Sequence, residues 1–511
     1  MTNSASRKAA ESDSLSRLRA NSSATLVGMG LRFVGSLAAT PVLIRSLGLE
    51  RYGLWALANA ALSLGLLAEF GLTSAFTVRL AAVRGDSKQE AEAISTSFGL
   101  ICLAGTAGVT AGLLVLSLFP AALGLQPGDL DCNAGFRILV LAIGSRLIQQ
   151  WLVAWEAGVE NYRLQSLVET GHVIVMNGGF VAVALSGGRI RALAAWLLVS
   201  SVAACITHFS LLRRMGHLPE RFRIAMSAST ARSILGFGWR HWLANLGGAL
   251  FTRGDRLIVN ASLGPHAVGI YAAATAVVTK INEVSAMPIQ PLTPAISNAL
   301  SNQDLASARS MFWAASERNA LFVHLLGSTT FVFAESIAWL LAGNGSAQLA
   351  GMIRVLSLVY SAYSLVGVGH YTMLGLGRPG ANAAVVLAAS ASSLSAIYLG
   401  ARVWGLWGVA WGNSPFCILW ITNFIAAAGI GIPARTVVRR YAFLFSLLLV
   451  GVALTFSGGP ESTHLPGPFS HIAPTILVWL ALMAGSPLVA PNEVRSAAHW
   501  AKSFLSLRAQ Q

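Results

Sequence analysis

The chain has 511 residues, of which 55% are hydrophobic and 11% charged, where a soluble globular chain carries about 25% charge. With a mean hydropathy of +0.63, that composition excludes a soluble domain of any size and describes a polytopic membrane protein. The net charge of +15 would point to nucleic acid in a soluble chain; here it reports topology, because cytoplasmic loops collect Lys and Arg, and nucleic acid is excluded as a partner.

Residues 1–22 are polar and mixed in charge, with no apolar core leading to a small-residue cleavage site. They read as a cytoplasmic tail ahead of an uncleaved first span. Apolar stretches of about twenty residues, enough to cross a bilayer, then follow one another through short loops. Six form a first lobe over 23–212: 23–44, 52–72, 93–119, 136–157, 167–185 and 192–212. A basic cytoplasmic linker, 213–234, leads to six more over 235–428: 235–257, 267–289, 320–341, 352–374, 383–399 and 406–428. Two appended spans, 441–456 and 472–488, occupy 441–490, and a cytoplasmic tail fills 491–511. The expected fold is an all-α integral membrane protein of about 14 transmembrane helices in two six-helix lobes plus two C-terminal helices.

Placing the N-terminus inside puts Arg79, Arg84, Lys88, Arg213, Arg214, Arg221, Arg223, Arg232, Arg378, Arg435, Arg439 and Arg440 on the cytoplasmic side, among others. Outer loops then hold only Arg45, Arg51, Arg189, Arg191 and Arg402, while Arg137 and Arg354, at outer span ends, run against the rule. Both termini are expected inside. Cys102, Cys205 and Cys417 lie in apolar spans and Cys132 in a short outer loop, so no disulfide or metal pairing is expected. The ten His show no ligand spacing and no Walker loop occurs, so neither metal, cofactor nor direct ATP use is indicated.

An internal repeat is visible. Ser46-Leu47-Gly48 precedes Tyr52-Gly53-Leu54-Trp55-Ala56, and Ser262-Leu263-Gly264 precedes Val268-Gly269-Ile270-Tyr271-Ala272, 216 residues later. Both copies fall at an outer turn after a basic cytoplasmic segment, so the halves run in the same direction. Parallel repeats of this kind place a transporter's site at their interface.

The first copy carries a resemblance. Leu47-Gly48 and Tyr52-Gly53-Leu54-Trp55, then Glu69-Phe70-Gly71-Leu72 with Ala75 and Arg79, resemble the Wzx-like polysaccharide and O-antigen flippases of the MATE-like (MOP) exporter superfamily. Glu69-Phe70 stands where that group usually has Asp-Leu. Asp255-Arg256-Leu257-Ile258 before Leu263-Gly264, and Gly375-Leu376-Gly377-Arg378-Pro379, look like the start of its second half and the turn before its eleventh span. The resemblance implies a monomeric, multi-pass flippase of the bacterial inner membrane. It would carry an undecaprenyl-diphosphate-linked oligosaccharide to the periplasmic leaflet by alternating access, for exopolysaccharide, O-antigen or capsule. Its partners would be that cargo, membrane lipids and polysaccharide polymerase or export machinery.

Charges at membrane depth usually face a water-filled cavity, and Arg offers a planar fork of donors suited to a diphosphate. Arg32, Arg146, Arg253, Arg256 and Lys280 all fall inside predicted spans and are expected to line a cationic cavity, with snorkelling or pairing to Asp255 or Glu283 as the alternative. Gln149, Gln150 and Trp151 beside Arg146 form a polar, aromatic stripe suited to a glycan, and Trp155 reads as an interfacial belt residue. Glu69, Asp255 and Glu283 are candidates for ion coupling or structural pairing; pairing is favoured for Asp255 and Glu283, and a solvated helix-end role for Glu69. Gly178-Gly179 and Gly247-Gly248 are candidate bend points. A lipid II flippase and a cation-coupled drug exporter of the same fold compete with this reading, although a basic interior opposes cationic drugs. A membrane glycan polymerase or ligase would need a catalytic outer loop, and the loops here carry no acid–base set, so the chain is not expected to be an enzyme.

Overall fold

A computed structural model describes residue 30 and residues 35–36, 38–126, 128–159, 161–217, 226–344 and 347–442. Arg32, most of the first predicted span, part of the linker, the two appended spans and both tails lie outside the described residues. Every regular element among the described residues is helical, as expected where lipid offers the backbone no hydrogen-bond partner.

Among the described residues the elements include α1 (Ala38–Leu47), α2 (Leu49–Gly65), α3 (Leu72–Ala82), α4 (Ser87–Leu118), α5 (Leu130–Gly158), α6 (Tyr162–Leu185) and α7 (Ile190–Arg214). They continue with α8 (Ala228–Ala286), α9 (Leu292–Ser301), α10 (Leu305–Val332), α11 (Ala334–Ala342), α12 (Ala347–Ser364), α13 (Gly367–Gly375), α14 (Pro379–Gly412) and α15 (Trp420–Gly429). Among the described residues, seven helical stretches are long and apolar enough to cross a membrane, or nine if each of two bent pairs is one span. Two of them hold a non-helical glycine, Gly264 in α8 and Gly405 in α14, where two predicted spans meet. The residues form two compact units, Met1–Leu246 and Gly247–Gln511, and the division falls inside α8.

Most turns of one unit recur in the other in the same order; Phe70 and Gly71 of the first unit and Gly377 of the second have no positive-φ counterpart among the described residues. Gly48 (φ 77°, ψ 161°) matches Gly264 (φ 83°, ψ 176°), two residues in a region only glycine reaches cheaply. Positive φ recurs at Gly85 and Gln303, Gly124 and Gly343, Gly187 and Gly405, and Gly216 and Gly431. A short 3-10 turn, Leu66–Glu69, separates α2 from α3, and another, Met287–Ile289, separates α8 from α9. Asp86 caps α4 and Asp304 caps α10, each accepting from backbone N–H groups of the first turn. Those bonds hold both carboxyls below the usual carboxylate range, with Gln89 and Ser307 the largest contributors.

Several predicted bounds move. Helix does not stop at 72: α2 and α3 are bent by 42° at a break about Phe70-Gly71, and α3 runs on to Ala82. α10 starts fifteen residues before its predicted position because Asp304 caps it, so Arg309 and Arg318 ride on a helix rather than a loop. Gly179 and Gly247 are contact points rather than bends. A methyl on Gly179 would overlap Trp196, and one on Gly247 would press on Leu387 at 3.1 Å.

In the first unit the start of α8 is tied to the α2–α3 break. Trp242 Nε1 donates to the Leu67 carbonyl at 2.8 Å, and its ring lies 5.1 Å from that of Phe70. A side chain at Gly71 would collide with the Gly238 carbonyl. In the second unit Phe251 stacks on Phe416 at 3.6 Å over a core of Val366, Ala389 and Leu419. Faces turned away from these cores stay apolar: Val199, Val202, Ile206 and Phe209 of α7 are exposed while His208 is fully buried, the pattern of a helix with one lipid face.

Candidate functional site

The first unit contains a polar cavity of about 410 Å³. Glu69, Thr73 and Thr77 come to it from the α2–α3 segment, Arg146, Gln149, Gln150 and Val153 from α5, and Gln165 and Glu169 from α6. Helical spacing explains the set. Positions 146, 149, 150 and 153 share one face of α5, as 165 and 169 share one face of α6. The break at Phe70-Gly71 turns Glu69 and Thr73 toward the same space. Glu69 accepts from the Thr73 hydroxyl at 2.6 Å, and Thr77 donates to the Ala154 carbonyl at 3.1 Å.

Hydrogen-bond chemistry fixes the orientation of Gln149. Arg146 Nη1 can only donate, and it meets Gln149 Oε1 at 2.9 Å. The amide nitrogen therefore faces the other way, donating to Glu169 Oε1 and His172 Nδ1, each at 3.1 Å. His172 Nδ1 thus accepts, and its Nε2 is buried without a partner. Two helical turns beyond Gln149, the same face of α5 presents Glu156, 1% exposed. His208 of α7 stands between the two acids, with Nδ1 2.9 Å from Glu156 Oε1 and Nε2 3.4 Å from Glu169 Oε1. The first is a hydrogen bond; the second is an ion-pair distance. His208 Nε2 is buried with no hydrogen-bond partner. Glu156 Oε2 and Gln150 Oε1 are buried with no partner.

Of the predicted site residues, Arg146, Gln149, Gln150 and Glu69 meet in this cavity. Glu69 is corrected: it sits at the break between α2 and α3 and lines the cavity rather than capping a helix end, because helix resumes at Leu72 and runs to Ala82. Trp151 is corrected too. One residue past Gln150 is a turn of about 100° around the helix, and its ring packs on Phe76, Phe98 and Trp155 while Nε1 donates to Ser97 Oγ at 2.9 Å. Trp155 is no belt residue; it is fully buried. Trp404, Trp407 and Trp411 are exposed, as is Trp239. Arg32 lies outside the described residues.

The remaining candidates belong to the second unit. Lys280 Nζ pairs with Glu283 Oε2 at 2.6 Å, the pairing alternative. Asp255 is fully buried and accepts from the Tyr271 hydroxyl and from the Arg256 backbone N–H, both at 2.7 Å. Tyr271 also lies 3.1 Å from Asn413 Oδ1. Arg253 is half-buried, and Arg256 keeps a buried Nε with no hydrogen-bond partner. Asp129, Asp131 and Cys132 offer ligand atoms within 4.8 Å of one another, but Asp129 is occupied as the cap of α5, accepting from the Cys132 N–H.

Sequence reading missed Glu156, Glu169, His172 and His208. The signal was present: Glu156, Glu169, His172 and His208 all fall within predicted spans, where an ionisable residue marks a site by default.

The sequence matches a family model described as polysaccharide biosynthesis protein over residues 18–300. No curated protein matches it. The fold resembles the lipid II flippase MurJ in an inward closed conformation, at 12% identity and a TM-score of 0.72, covering 92% of this chain and 99% of that one. It also resembles an inward-facing multidrug resistance MATE family transporter of the MOP superfamily, at 14% identity and a TM-score of 0.67, over 80% and 98% of the two chains. A MOP superfamily transporter from Pyrococcus furiosus, described as having a binding pocket of reversed polarity, matches at 14% identity and a TM-score of 0.56, over 81% and 95%.

Proposed function

Because the chain belongs to the polysaccharide biosynthesis protein family and has the fold of the MOP-superfamily transporters, we propose that it flips a lipid-linked oligosaccharide. The cargo is joined to its lipid through a diphosphate and moves from the cytoplasmic to the outer leaflet of the bacterial inner membrane, by alternating access. The observation that carries this reading is the cavity around Arg146. A sugar diphosphate crossing the membrane loses its water and needs donors for its phosphates and mixed donors and acceptors for its hydroxyls. Arg146 supplies the charged fork. Gln149, Gln150, Thr77 and the carboxylates of Glu69 and Glu169 supply the rest. Arg253 and Arg256 of the second unit are proposed to serve the same cargo, while Lys280 is held by Glu283.

The test is surface polysaccharide in cells whose only copy of the gene is Arg146→Gln. Loss of surface polymer, with lipid-linked precursor accumulating on the inner leaflet and normal protein abundance, is expected. Normal polymer would overturn the assignment of Arg146. Arrest of peptidoglycan synthesis instead would identify the cargo as lipid II.

A further inference from the structure

The repeat extends from turns to tertiary contacts. Thr77 donates to the Ala154 carbonyl at 3.1 Å, and Thr293 donates to the Tyr371 carbonyl at 3.0 Å. Thr293 and Tyr371 stand 216 and 217 residues after Thr77 and Ala154. Beside these bonds, a methyl on Gly158 would press on Leu80 and one on Gly375 on Ile296, at the same two offsets. Within their own units, therefore, α9 takes the place of α3 and α13 that of the end of α5. This register gives each residue lining the Arg146 cavity a counterpart in the second unit.

The counterparts carry different chemistry. Arg146, Glu169 and Glu69 correspond to Tyr363, Val386 and Ser285, so all three charges are gone. Val153 and Ala154 become His370 and Tyr371, and Ser74 becomes Gln290. The His370 and Tyr371 rings meet edge to face at 5.2 Å, and both side chains are half-buried. Asn382, the counterpart of Gln165, places its Nδ2 3.0 Å from His370 Nδ1, which leaves Nε2 for another partner. Gln290 is exposed, and its side chain lies beside the Tyr371 hydroxyl. A diphosphate would find no Arg or Lys at these positions. A sugar ring would find what it needs. Its C–H face packs on an aromatic ring, whose own face is electron-rich. Its hydroxyls meet amide, imidazole and phenol groups that both donate and accept. An uncharged ligand could not compensate a desolvated charge, and none is present to be desolvated. Lipid tails are the wrong occupant, because the Gln290 amide would keep unpaired groups among them.

We propose that His370, Tyr371 and Gln290 form a second binding face, for an uncharged pyranose ring of the cargo's glycan, with Asn382 positioning His370. The first unit's copy of the site keeps the charged fork; the second has exchanged it for aromatic rings and neutral polar groups. The inference rests on the reading of the cargo as a diphosphate-linked oligosaccharide.

The test uses the full chain in lipid nanodiscs and two short-chain prenyl diphosphate diesters of equal charge, one ending in glucose and the other in a methyl group. Calorimetric titration gives the affinity of each. We expect the glucose probe to bind about five- to tenfold more tightly than the methyl probe, the worth of one stacked aromatic contact. Tyr371→Ala should bring the two probes level by weakening the glucose probe alone. Tyr371→Phe keeps the ring and should retain most of the preference. Gln290→Ala, at an exposed position, should reduce the preference without disturbing the fold. Equal affinity of the wild-type chain for both probes overturns the sugar face and leaves the diphosphate reading standing. A preference undiminished in both Tyr371→Ala and Gln290→Ala overturns the assignment to these residues. Binding of neither probe overturns the diphosphate reading, and the sugar face with it. Where Tyr371→Ala fails to fold, Gln290→Ala decides in its place.

Discussion

Tyr271 donates its hydroxyl to Asp255 at 2.7 Å, both groups being fully buried. The bond ties together the two arms of α8 on either side of Gly264. Tyr271→Phe removes a donor from a buried acid and should cost about 1–3 kcal/mol, read as a lower Tm in detergent. Asp255→Asn keeps an acceptor for the hydroxyl and should cost less. A larger loss for Asp255→Asn than for Tyr271→Phe would contradict this account.

Glycine substitutions separate conformation from contact. Gly187 has φ 78° and open space where a methyl would sit, so Gly187→Ala should cost only the left-handed penalty, about 1–2 kcal/mol. Gly71 has φ 73° and lies against the Gly238 carbonyl, so Gly71→Ala must also force the α2–α3 break and α8 apart. Size-exclusion profiles should show a folded Gly187→Ala protein and little or none for Gly71→Ala. Equal behaviour would mean that the close approach carries no weight.

Topology is open to direct measurement. Gly216 follows α7, whose last turn carries Arg213 and Arg214, and Gly187 lies in the turn between α6 and α7. A reporter fused after Gly216 should read cytoplasmic and one after Gly187 periplasmic. The reverse result would invert the orientation and the direction of transport proposed with it.

Charge roles can be sorted by pairing. Lys280 and Glu283 neutralise each other at 2.6 Å, so the double variant Lys280→Gln/Glu283→Gln should keep polysaccharide export. Arg146→Gln should lose it. Arg146→Lys should recover little, since an ammonium cannot present the planar fork. Export in Arg146→Lys close to wild type would show that charge alone suffices.

The sequence by itself determined the fold class and the repeat. Long apolar runs can satisfy their backbone in lipid only as helices, so the 55% hydrophobic composition and its spacing left little choice. The repeat was legible from Leu47-Gly48 and Leu263-Gly264 because the turn demands a backbone conformation that favours glycine, and the composition records that demand. Arg146, Gln149 and Gln150 were legible as polar residues at membrane depth on one face of one helix. Only the tertiary structure decided what they meet. Whether Glu69 caps a helix end or lines a cavity depends on the bend at Phe70-Gly71, which joins two segments the hydropathy pattern treats as one span and a loop. Whether Trp151 and Trp155 face cargo, lipid or core depends on which helices pack on α5. The Glu156–His208–Glu169 cluster draws its members from three helices and spans more than fifty residues of chain. Spacing along one helix carries no trace of such a contact, because burial and ion pairing across helices are set by packing, and a sequence read along its length records only neighbours on the same face.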